Sequence, residues 1–273
     1  MPTGLTEDRW VTGVEIRPSL PGRRIVHHSV VYLQQEEHPG DHDASVQVPS
    51  QGSYFSEFAV GKIGDVFREN TGKLLKVGSQ FSFDIHYHSV GEAITDSTDV
   101  GIWFHPKGYV PKYRVSAQAV GASQSMGVLD IPPGKVTVHH AYVPLRLPAR
   151  LENFQPHMHL RGKAMSMEAI YPNGRTEMLS HVANFDFNWH VNYVYTDDSA
   201  PVLPKGTILH ITAWHDNTAS NRGNPDPTQW VSWGQRSIDD MYHAHVNVTY
   251  LTDEDYEQII EDRKNASQTT DDQ

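Results

Sequence analysis

The chain of 273 residues contains no cysteine. Disulfides, thiolate zinc sites, iron–sulfur clusters and thiol nucleophiles are thereby all excluded. Positive charge is also scarce. Lys and Arg number 22 against 33 Asp and Glu, a formal net charge of −11. With no basic cluster, neither nucleic acid nor an anionic membrane is an expected partner. No apolar run approaches the roughly 18 residues of a membrane span. The opening "MPTGLTEDRW" has neither the basic segment nor the apolar stretch of a signal peptide. The expectation is a chain that stays where it is made, or a processed or excised form.

What the sequence does have is histidine, 17 residues of it. A metal bound here must use imidazole, carboxylate or thioether. The surrounding pattern is one of short β-branched or aromatic runs, "WVTGVEIRP", "IVHHSVVYL", "QFSFDIHYHSV", "GKVTVHHAYVPL" and "GTILHITAWHD" among them, bounded by Gly, Pro, Asn and Asp. Few stretches show a 3.6-residue period. The expected fold is all-β, as two antiparallel sandwiches. A boundary is placed in the small, polar stretch 115–127, giving domains at 1–116 and 117–252. The acidic remainder, 253–273, is read as a frayed tail with a turn or two of helix around Tyr256 to Ile260.

His27 and His28 stand side by side in a run that suits a strand, where neighbours point to opposite faces. One ring should enter the core, and its burial requires a hydrogen bond or a metal. The "HMH" of His157 and His159 puts two imidazoles on one strand face, able to converge on one ion. Met241 follows two aspartates at the mouth of a further strand. A lone Met is core filler, but beside imidazoles its thioether makes a soft set suited to reduced copper.

The pieces "VHHSVVY", "FDIHYHSVG", "PHMHLRGKAM" and "WGQRSIDDM" occur in this order along the chain. In them the sequence resembles the copper type II, ascorbate-dependent monooxygenases, the family of peptidylglycine α-hydroxylating monooxygenase and dopamine β-monooxygenase. The likeness extends from about Leu5 to about Tyr250 and is nearest to a bacterial branch. It implies two jelly-roll-like β-sandwiches with one copper each. His27, His28 and His86 would hold the electron-transfer copper, and His157, His159 and Met241 the oxygen-activating one. Ascorbate or a similar donor would supply electrons, and O2 the oxygen, for hydroxylation of a C–H bond in a small organic substrate. The copper chemistry in turn implies a periplasmic or secreted setting.

Departures from the family bear on the substrate. The peptide-amidating branch has an arginine just ahead of its H-x-H motif, where this chain reads Phe154-Gln155-Pro156. It also has Asn and Tyr where His243 and His245 stand here. A peptidylglycine substrate is therefore not expected. His243 and His245 either join the copper or substrate, or simply replace polar residues of the site's lining. Gln155 and His88 are candidates for substrate or ligand support, and His139 and His140 read as cross-strand partners. The alternative to an oxygenase is a copper carrier or sensor that keeps the ligands without the reaction.

Overall fold

The β-branched runs do form strands, and the fold is all-β and sandwich-like. The structure, a computed structural model, describes residues 1–36, 52–62, 64–122 and 129–271. Part of the polar stretch read as a boundary, residues 123–128, lies outside them. Two compact units divide at Ala117 and Gln118.

In the first unit, β1 (Arg9–Pro18) is followed by β2 (Val26–Gln34), β3 (Ser53–Ala59), β4 (Gly64–Val66), β5 (Thr71–Leu75), β6 (Gln80–Tyr87) and β7 (Thr98–Phe104). β1 pairs antiparallel with β4, β5 and β7, while β2 sits between β3 and β6 in a second sheet. Alternation explains the core between them. Val11, Val14 and Ile16 of β1 meet Val31 and Leu33 of β2 and Phe81 of β6 in one buried cluster.

β8 (Tyr113–Ala122) begins beside β5, running parallel to it. The second unit continues with β9 (Asp130–Ile131), β10 (Val136–Pro144), β11 (Ala149–Leu151), β12 (Asn153–Met158), β13 (Gly162–Ile170), β14 (Thr176–Val182), β15 (Tyr193–Val194), β16 (Val202–Leu203), β17 (Ile208–Asp216), β18 (Val231–Ser232) and β19 (Tyr242–Tyr250). One sheet runs β10-β17-β13-β14; another places β12 and β11 against β19. Their facing sides bury Leu209, Ile211, Met165 and Met167 against Phe154, Met158, Ala244 and Val246. Gly162 is required by crowding, because a Cβ there would stand 2.6 Å from Met158 Cβ and 2.8 Å from Phe185.

The segment expected to be a frayed tail is instead α1 (Asp253–Asp271). Thr252 starts it: its hydroxyl accepts from Asp255 N at 3.1 Å and donates to the Asp255 carboxylate at 3.0 Å. Asp253, Glu254 and Asp255 in the first turn suit the positive end of the helix dipole. Among the described residues no helix is long and apolar enough to cross a membrane.

Candidate metal centres

In the first unit the doublet His27-His28 lies at an irregularity of β2. Val26 pairs with Tyr87 and His28 with His86, so β2 carries one extra residue, His27, between two consecutive partners. A bulge of this kind breaks the alternation and re-aims a side chain. The ring nitrogens His27 Nδ1 and His28 Nδ1 come within 3.0 Å of each other. The expected division, one ring into the core and one out, holds in part: His28 is buried and His27 half-buried. His28 is not part of the apolar core, because Ser29, Val31 and Leu33 take the inward face with Ile85, Phe83 and Phe81, and His28 shares the other face with His86.

His28 and His86 rings lie 4.0 Å apart, tilted by 35°. His86 Nε2 is 3.2 Å from Asp84 Oδ1, a carboxylate two residues back on the same strand face. In the tautomer that donates to Asp84, His86 keeps its Nδ1 lone pair. His88 is not brought into this group. It follows the end of β6, with its side chain exposed and its amide donating to Ile25 O.

The second unit gathers a larger set. Register places His157 opposite His243 and Gln155 opposite His245, all on the face of the β12–β19 pair turned away from the hydrophobic core. His157 has the rings of His159, His243 and His245 at 5.6, 6.1 and 5.5 Å. His190 stands nearer still, at 4.8 Å and nearly perpendicular. Phe185 and Phe187 pack on His190, and Phe187 also meets His159 edge-on. Gln155 Nε2 donates to His190 O at 3.5 Å. His157, His159, His190 and His245 are all buried.

One carboxylate ties two of the expected ligands together. Asp240 Oδ1 accepts from His159 N at 3.0 Å and from Met241 N at 2.9 Å, while Oδ2 accepts from Arg161 N at 3.1 Å. Burial alone would raise the pKa of this carboxyl, but His215 at 3.4 Å and the bound amide of His159 hold it below the usual range. Arg161, itself buried, donates to Ile238 O and Asn217 Oδ1, both at 2.9 Å, and so pins the chain that leads into Met241. His159 Nδ1 lies 3.2 Å from Asp239 O. Donating there, it leaves the Nε2 lone pair for an ion.

Among the described residues no three His, Asp or Glu side chains surround one point closely enough to hold an ion as they stand. Donor chemistry nonetheless fits copper. The first group offers three imidazoles, two of whose nitrogens already approach to 3.0 Å; the second offers imidazoles with a buried thioether. His139 turns inward, its ring 5.1 Å from that of His215, and its pKa is pushed down to about 4 by burial and by that neighbour. His140 turns outward.

Sequence reasoning leaves the role of His190 undecided, and it passes over Asp84 as a partner and the clamp of Asp240 with Arg161. Asp84 could have been found by counting two residues back from His86. The position of His190 follows only from the loop between β14 and β15, and Asp240 acts through backbone amides that side-chain patterns do not announce.

No known protein family and no curated protein matches the chain. Solved structures with some likeness are capsid proteins of infectious bursal disease virus. Its VP2 subviral particle is 12% identical with a TM-score of 0.27, covering 89% of this chain and 58% of the viral one. The T13 particle gives 12%, a TM-score of 0.26, and coverage of 92% and 57%. The chain thus spans under three fifths of those proteins. TM-scores this low carry no inference about fold or function.

Proposed function

We propose that the protein is a copper-dependent monooxygenase that hydroxylates a C–H bond of a small organic substrate with O2 and a one-electron reductant such as ascorbate. The observation that carries the reading is the pairing of two unlike donor sets. An all-imidazole group, His27, His28 and His86, lies in one unit; His157 and His159 lie in the other, where Asp240 binds the backbone amides of both His159 and the buried Met241. Unlike ligand softness divides electron storage from oxygen chemistry, and a carrier needs only one set.

Bound copper would supply the one-electron and oxygen chemistry. The chain's own part is to present lone pairs and exclude water. Asp84 orients His86, and the Asp239 carbonyl orients His159. The Asp240 carboxylate ties the backbones of His159 and Met241 to a common point. Phe187 and Phe185 shield His159 and His190, and Gln155 sits where a substrate-binding cation is absent. A neutral substrate suits that lining better than a carboxylate.

The abundance of imidazoles around His157 favours one further reading, copper carriage without oxidation. Copper content by elemental analysis, with O2 uptake under ascorbate, separates the two. Two coppers per chain, one lost in His27→Ala, with ascorbate-driven O2 uptake abolished by Met241→Ala, support the oxygenase. Stable copper without O2 uptake leaves the carrier, and no retained copper overturns both.

A further inference from the structure

The outer face of the sheet β10-β17-β13 carries a second cluster of imidazoles that the copper reading does not use. Register places His140 opposite Thr212, and Tyr142 opposite His210, which in turn lies opposite Glu168. Alternation puts all five side chains on the face away from the core formed by Ala141, Ile211, Leu209 and Met167. Three of their atoms form a small triangle. His140 Nδ1 lies 3.0 Å from His210 Nε2, and Thr212 Oγ1 lies 3.3 Å from each.

We propose that His140, His210 and Thr212 form a surface binding site for a borderline divalent ion of the zinc type. Two donors each about 2.1 Å from an ion stand about 3.0 Å apart at right angles and about 3.4 Å apart in a tetrahedron. All three edges of the triangle fall within that interval. The tautomer is set from behind: His210 Nδ1 lies 3.2 Å from Glu168 Oε2, and donating there it turns an Nε2 lone pair toward His140. Tyr142 stacks on His210 at 4.4 Å and 6°, which holds the ring in that plane. Two imidazoles and a hydroxyl, with water completing the shell, make a harder set than one containing a thioether and suit a divalent ion better than Cu(I). His140 and Tyr142 are exposed, so an ion can reach the site directly from solvent.

The site does not depend on the copper reading, and zinc titration by calorimetry tests it on metal-stripped protein. In a His27→Ala/His157→Ala background, one zinc is expected per chain, lost on adding either His140→Ala or His210→Ala. Glu168→Gln should keep the stoichiometry and weaken binding about 10- to 100-fold, the usual effect of losing a carboxylate behind a ligating histidine. A zinc count unmoved by either histidine change overturns the proposal. Were a variant to misfold, the ring signals of His140 and His210 in the unmutated protein provide a second test. Zinc should shift both, and unshifted rings overturn the site.

Discussion

Replacing Asp240 by alanine would strip the acceptor from three backbone amides at once, those of His159, Arg161 and Met241. An unsatisfied buried donor costs roughly 1–3 kcal/mol, so a loss of about 3–5 kcal/mol in chemical denaturation is expected. A change under about 1 kcal/mol would show that the carboxylate is dispensable. Asp84 acts at the same scale with a milder effect. Asp84→Asn should leave copper content intact while weakening the first unit's copper about 10- to 100-fold, as competition with a chelator would read. Unchanged affinity would remove Asp84 from the ligand's support. At this scale the sequence was legible where side-chain type and spacing mark a cluster: the H-x-H pair and the HH doublet could be picked out by eye, and further imidazoles gather beside each. It was silent where a side chain works on backbone, as Asp240 does, and undecided where one arrives from a distant loop, as His190 does.

Elements were legible by their period and misjudged where local geometry departs from it. Strand positions follow the β-branched runs, with the inward and outward faces of β12, β17 and β19 as alternation requires. The helix α1 was underestimated because its middle is polar, while its start is well specified by Thr252 and three acidic residues. The bulge at His27 was not legible from alternation; only the family resemblance implied a strand bent to aim both rings at one ion. Adjacent histidines in an alternating run read as one in, one out, and only pairing register shows that an extra residue has been inserted. Deleting His27 tests what the bulge does. The variant should keep the fold, because Val31 and Leu33 stay inward, yet reconstitute with one copper fewer than the unmutated chain. A deletion variant that still binds the full complement would mean that the doublet is structural.

Across the whole molecule, the acidic balance says less about behaviour than one buried cation does. Lys73 lies between the sheets of the first unit, donating to Phe55 O at 2.6 Å, near Asp65 and Lys62, which pair at 3.2 Å. Burial outweighs the attraction of Asp65 and brings its pKa down to about 7 from 10.5. The unfolded chain therefore holds one more proton than the folded chain between about pH 7 and 10.5. Stability must then rise with pH through that window, by at most about 1.4 kcal/mol per pH unit. Tyr32 and Tyr54, both pushed above their ordinary range by burial, act oppositely, but only above about pH 10, where the unfolded phenols ionise. Asp65, held low by Lys62 and Lys73 against the effect of its burial, changes stability only in acid. Between pH 7 and 9.5 the slope therefore belongs to Lys73 among these groups. Urea denaturation at pH 7, 8 and 9 should show the midpoint rising in the unmutated protein and flat in Lys73→Met. Parallel pH dependences in the two proteins would place the charged form of Lys73 comfortably inside the sandwich and refute the shift.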